Sequence, residues 1–183
     1  MNRIPDSAHN VSAFNGSDED IDFGFRTVRR ADKPGLVRNV FDSVASRYDL
    51  MNDLMSFGVH RIWKSSMINW LSPKPDAHFL DVAGGTGDVA LKILARLSKH
   101  TSQRAGLPQI TVIDASEQML GKGRDRAIDS GIFSNINWVR GDAEELPIVD
   151  SSIDFYTIAF GIRNVTNIEK ALREASRVLR PGG

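Results

Sequence analysis

Phe79-Leu80-Asp81-Val82-Ala83-Gly84-Gly85-Thr86-Gly87-Asp88 is the stretch whose reading decides the fold. An apolar run ends in a glycine cluster, and Val89, Leu91, Ile93, Leu94 and Leu97 follow at helical spacing. The segment therefore reads as strand, tight turn and helix. Glycines let backbone approach a ligand that a Cβ would push away, and the N–H groups opening a helix attract negative charge. The shape suits a cofactor loop; the alternative is a glycine-rich connection with no ligand. Residues further along the chain have to decide.

Downstream, Gln109 to Asp114 reads as a second strand, and Ser116 is placed to cap a helix carrying Met119, Leu120 and Ile128 up to Gly131. Ile136 to Arg140 is a third strand and Ile153 to Ala159 a fourth. A last helix, capped by Thr166 or Asn167, carries Ile168, Ala171, Leu172, Ala175, Val178 and Leu179 before Pro181. Strands alternating with helices predict a parallel α/β sheet covered on both faces. The polar stretch from Ser98 to Pro108 reads as a long surface connection.

Upstream, residues 1–34 read as a mobile tail, poor in large apolar side chains over the first twenty. Residues 35–75 read as a helical lid. Val37, Val40, Phe41 and Val44 form one stripe, and Ile62, Trp63, Met67, Trp70 and Leu71 form another that Pro73 and Pro75 break. Between them, Tyr48 to Trp63 interleaves hydrogen-bonding side chains with Met, Leu and Phe. The α/β core then occupies 76–183.

With 183 residues, 41% apolar and 25% charged, the chain is large enough for a sizeable core. Lys plus Arg and Asp plus Glu both number 23, so net charge gives no steering toward nucleic acid. The absence of cysteine excludes disulfides, thiolate metal sites and cysteine nucleophiles. No apolar run approaches the roughly 18 residues of a membrane span, and the acidic N-terminus does not read as a leader.

In such sheets ligands bind beyond the carboxyl ends of the strands, and those ends carry Asp81, Asp114, Asp142 and Arg163. Gly85-Thr86-Gly87-Asp88-Val89-Ala90 fits a dinucleotide fingerprint, but Asp114 lies further on than the roughly 20 residues that fingerprint requires. A pyrophosphate would also be repelled by Asp81. S-adenosylmethionine instead brings an ammonium and a sulfonium, which an acid favours. Asp114 then suits the ribose hydroxyls, and Asp142 the exocyclic adenine amine.

Three segments together carry a resemblance: Tyr48-Asp49-x-Met51-Asn52-Asp53-x-Met55-Ser56-x-Gly58-x-His60-Arg61-x-Trp63, Ala83-Gly84-Gly85-Thr86-Gly87-Asp88, and Phe160-Gly161-Ile162-Arg163-Asn164-Val165. Over residues from about 36 to 183 the chain resembles the ubiquinone/menaquinone biosynthesis C-methyltransferases, of the Rossmann-like class I S-adenosylmethionine-dependent fold. The resemblance implies cofactor contacts from Gly84, Gly85, Thr86, Gly87, Asp114, Asp142 and Ala143, with Met119 packed on adenine. Ala159 stands where relatives often have Ser, and Asp142 where some have Asn. Carbon methylation needs a phenolate ortho to the ring carbon and no metal. Arg163, always protonated, is suited to holding that phenolate with Asn164 beside it. His60 is a candidate base, and Tyr48, Asp49 and Asn52 are candidate substrate contacts.

Further expectations follow from the resemblance. The Phe23-Gly24-Phe25-x-Thr27-Val28 segment is similar to the mitochondrial branch, which methylates a polyprenyl methoxybenzoquinol. It implies peripheral attachment on the matrix side of the inner membrane, or a cytoplasmic location in a bacterium. A quinone-biosynthesis protein complex or a homodimer is an expected partner. Arg177-Val178-Leu179-Arg180-Pro181-Gly182-Gly183 begins a signature that continues in relatives into further strands, so a C-terminally truncated fold with impaired activity is expected. The alternatives are demethylmenaquinol methylation, a nicotinamide-dependent oxidoreductase, and a non-catalytic scaffold.

Overall fold

The computed structural model describes residues 20–23, 26–29, 31–44, 59–100 and 108–183. Residues up to Lys33 form one compact unit and Pro34 onward another. In the first unit, β1 (Asp20–Phe23) pairs antiparallel with β2 (Arg26–Arg29). Two short paired strands therefore lie in the segment that the sequence suggests is a tail. The register sets Ile21 opposite Val28, a β-branched pair, and Asp20 opposite Arg29, which bear opposite charges. Four-residue strands are too short for alternation to be read with assurance. Arg29 also bonds Asp32 at 3.0 Å.

The second unit opens with α1 (Lys33–Val44) and, beyond residues not described, α2 (Val59–Leu71). Its sheet holds four parallel strands in the order β5-β4-β3-β6: β3 (His78–Val82), β4 (Gln109–Asp114), β5 (Ile136–Arg140) and β6 (Phe155–Thr157). The crossovers are α3 (Asp88–His100), α4 (Glu117–Asp129) and a connection through residues 141–154; α5 (Ile168–Val178) follows β6. Helix α3 runs three residues into the expected 98–108 connection. No helix among the described residues is long and apolar enough to cross a membrane.

β3 is central and reads as a continuous buried run because both faces are covered. On one face, Phe79 packs with Ile93, Leu94 and Leu97 of α3, with Ile110 and Val112 of β4, and with Ile68 of α2. Phe79 stacks on Phe155, its register partner in β6, at 4.6 Å between centroids. The other face gathers Leu80, Val82, Ile113, Leu146, Ala171 and Val178. Full burial of each such aliphatic side chain contributes about 1.5–3 kcal/mol.

Two predicted stripes only partly match the packing. In α2 the buried residue is Ile68, with Met67 and Leu71 leaning on the core, whereas Ile62, Trp63 and Trp70 are exposed, Trp70 to 93%. In α5, Ala171 and Val178 are buried but Ile168 and Leu172 are open to solvent. β6 is also shorter than the Ile153 to Ala159 read from sequence. Just ahead of it Ile153 bridges Leu179 in parallel, and its carbonyl accepts the Arg180 N–H at 3.0 Å. Residues after α5 thus take up backbone groups beside β6.

Glu174 and Arg177 fasten α5 to the 141–154 connection. Arg177 bonds Glu174, Asp150 and the carbonyls of Leu146 and Ile148, and Glu174 accepts the Leu146 N–H at 2.7 Å. The guanidinium and that N–H hold the Glu174 carboxyl down to about 2.

Candidate functional site

Beyond the carboxyl ends of β3, β4, β5 and β6 lies one crevice, as the parallel order requires. Its walls include Asp81, Gly84, Gly85 and Thr86 from the first loop, Asp114, Ser116 and Met119 from the second, and Asp142, Ala143 and Glu144 from the third. Ala159, Phe160, Gly161, Arg163 and Asn164 close it from the segment after β6.

The first loop is shaped by close approach. A Cβ on Gly84 would stand 2.7 Å from Asp81 Oδ2 and 2.8 Å from Val112, so only glycine lets the turn fold onto the strand. Gly87 has φ +69°, and its missing side chain leaves room for Trp138, which a Cβ would meet at 2.5 Å. Gly123 of α4 accommodates the same indole, a Cβ there reaching 2.4 Å from the ring. Trp138 thereby fits between the cofactor loop and α4. Ala83 sits at φ +51°, a left-handed conformation costing a non-glycine residue about 1–2 kcal/mol. Its methyl fills the space a Cβ on Gly161 would need, so the two loops meet backbone to side chain.

Asp81 is 2% exposed. Its Oδ1 accepts a hydrogen bond from the Thr157 hydroxyl at 2.7 Å, while Oδ2 accepts none from the described residues. Burial pushes its carboxyl up to about 7, against lowering by Thr157 and Lys64; Asp114 and Asp88 add to the rise. A buried acid with one oxygen unsatisfied is costly by itself and favours a cationic hydrogen-bond donor.

Asp114 is held by its own loops. Oδ2 accepts the Gly85 N–H at 2.8 Å and Oδ1 the Ser116 N–H at 2.9 Å. Ser116 caps α4 through the Met119 N–H, and Met119 is buried against Gly85. Asp142 is exposed, and its Oδ1 accepts the Glu144 N–H in a local turn. Glu144 Oε1 accepts the N–H groups of Thr166 and Asn167 at 3.0 and 2.8 Å, tying the third loop to the segment carrying Arg163. That segment is a single 3-10 turn, Ile162–Asn164, followed by α5, which Asn167 caps.

Of the residues chosen from sequence, Asp81, Gly84, Gly85, Thr86, Asp114, Met119, Asp142, Ala143, Arg163 and Asn164 line this crevice together. His60 falls in the first turn of α2, its side chain outside the described residues. Tyr48, Asp49 and Asn52 lie outside the described residues altogether. Sequence reasoning missed Thr157, Glu144, Asp88 and Lys64. The Lys64 ammonium bonds Asp88 at 3.0 Å. Trp63 beside it approaches Phe160, ring centroids 6.1 Å apart.

The profile of the ubiE/COQ5 methyltransferase family matches residues 26–183. The chain belongs to the ubiE/COQ5 methyltransferase family. The ubiquinone/menaquinone biosynthesis C-methyltransferase UbiE of Paracoccus denitrificans is 57% identical over 161 residues, covering 88% of this chain and 61% of that protein. UbiE of Dinoroseobacter shibae is 52% identical over 167 residues, covering 91% and 64%. The chain spans about three fifths of the length of these curated relatives. A solved SAM dependent methyltransferase from Aquifex aeolicus has a TM-score of 0.53 at 24% identity, over 64% of this chain and 58% of that one. At that identity the likeness speaks for the fold, which is the class I methyltransferase α/β fold.

S-adenosylmethionine is the cofactor that family membership brings, and the residues fit it: an orphaned buried carboxylate oxygen, a glycine-built cradle, and acids at successive strand ends. The nicotinamide alternative does not survive. Asp81 lines the loop where a pyrophosphate would have to lie, with Asp88 beside it.

Proposed function

We propose that this protein methylates a ring carbon of a polyprenylated methoxybenzoquinol, the C-methylation step of ubiquinone synthesis. The observation that supports the reading is Asp81 in the crevice wall, its buried Oδ2 accepting no hydrogen bond from the described residues, with Asp114 and Asp142 among the other acids lining the crevice. When bound, S-adenosylmethionine supplies an electrophilic methyl group on a sulfonium.

The chain's own residues set up the rest. Asp81 receives the ammonium, Asp114 the ribose hydroxyls and Asp142 the adenine amine, which fixes the cofactor's direction in the crevice. A quinol carbon is nucleophilic when the neighbouring hydroxyl is ionised. Arg163, on the turn that closes the crevice after β6, holds that phenolate, and Asn164 donates beside it. Contact with a membrane surface is part of the proposal because the prenyl tail must be drawn from lipid. The relatives named above are bacterial, so a mitochondrial location draws no support from them.

The test is label transfer. Protein of the relatives' full length, incubated with methyl-deuterated S-adenosylmethionine and a short-prenyl methoxybenzoquinol, should yield a quinol with the label on a ring carbon, read by fragmentation in mass spectrometry. Label on oxygen, or no product with any quinol, would overturn the proposal. Label on demethylmenaquinol alone would move the reaction to the menaquinone branch.

A further inference from the structure

Ten of the crevice residues were legible as candidates, but they leave one end of the cofactor unmatched. S-adenosylmethionine carries a carboxylate beside its ammonium, and the crevice is rich in acids: Asp81, Asp88, Asp114, Asp142 and Glu144. Among the described residues lining it, only Lys64 and Arg163 are cationic. Arg163 lies on the turn after β6 and is not among the groups whose charge reaches Asp81. Lys64 is one of those groups, and so is Asp88. The Lys64 side chain is 13% exposed, held by Asp88 in the first turn of α3.

We propose that Lys64 is the residue that binds the cofactor's carboxylate, pairing with it while Asp81 takes the adjacent ammonium. The assignment rests on the S-adenosylmethionine reading and adds to it a specificity residue from outside the glycine loop. Three observations converge. The orphaned oxygen of Asp81 marks where the amino-acid end must lie. Lys64 brings the cation to that end, from a helix that also touches the substrate-side segment through Trp63 and Phe160. Asp88 does not depend on Lys64 alone, because Arg126 approaches its other oxygen at 3.6 Å, so an ammonium with three donors can serve both anions. Helix α2 is thereby a clamp that the cofactor's carboxylate fastens.

Calorimetric titration with two ligands decides it: S-adenosylmethionine and its decarboxylated analogue, which keeps the sulfonium and ammonium but lacks the carboxylate. The unaltered chain should prefer the carboxylated ligand by about tenfold or more. Lys64→Met should weaken S-adenosylmethionine by about the same factor and leave the decarboxylated ligand within about threefold. Equal weakening of both ligands would make Lys64 a strap for Asp88 and overturn the assignment, as would unchanged affinity for S-adenosylmethionine. If Lys64→Met loses its cooperative unfolding transition, the unaltered chain decides alone: a preference below about threefold refutes the proposal. Binding of neither ligand by the unaltered chain would refute the cofactor reading itself and this assignment with it.

Discussion

Replacing Asp81 by Asn should stabilise the ligand-free chain and cripple its cofactor binding. The carboxyl is 2% exposed and is pushed from an ordinary 3.8 up to about 7, chiefly by burial. Between those values the unfolded chain has lost its proton while the folded chain retains it. Stability therefore falls as pH rises from about 4 to about 7. The full penalty above that window is on the order of 4 kcal/mol. Asn keeps an acceptor for the Thr157 hydroxyl and removes the charge. Asp81→Asn should consequently match the unaltered chain near pH 4, exceed it at pH 7.5, and lack this part of the pH slope. Urea denaturation across that range measures it. The same substitution deletes a charge-assisted bond to the cofactor's ammonium, so affinity for S-adenosylmethionine at pH 7.5 should drop about 100-fold. A variant no more stable than the parent at pH 7.5, binding the cofactor equally well, would remove Asp81 from both roles.

The second large effect belongs to Arg163. It stands exposed on the turn Ile162–Asn164 and lines the crevice from the segment after β6, which lies across β3 from β4 and β5. In a protein of the relatives' full length, Arg163→Ala should leave affinity for S-adenosylmethionine within about threefold and lower kcat by about 100- to 1,000-fold, the range for losing one donor to a developing oxyanion. Steady-state kinetics with the quinol, beside a cofactor titration, separates the two. Unchanged turnover would exclude Arg163 from the chemistry, and a parallel loss of cofactor affinity would place it in the cofactor site instead.

The strand, turn and helix around Asp81 were legible because their signals are local: an apolar run, a glycine cluster, then a helical stripe. Asp114 and Ser116 were legible for the same reason, an acid ending a strand and a hydroxyl opening a helix. Lys64 was not, because its partner Asp88 lies 24 residues away and the stripe around it reads as packing. In fact Ile62, Trp63 and Trp70 of that stripe are exposed; periodicity marks a face, not what covers it. Gly123 makes room for Trp138, and the Thr157 hydroxyl bonds Asp81, neither of which a local pattern signals. Each of these depends on two segments distant in sequence being brought to one place.

Calorimetric titration of this chain with S-adenosylmethionine at pH 6 and pH 7.5, in parallel with a nicotinamide dinucleotide, tests the central claim most directly. At pH 7.5 the ligand's amine is still mostly protonated. If the protonated amine binds only ionised Asp81, one molecule should bind about fivefold more tightly at pH 7.5 than at pH 6, with Asp81→Asn losing that gain and the dinucleotide giving no heat. Failure of S-adenosylmethionine to bind at either pH, or saturable binding of the dinucleotide in the same crevice, would contradict it.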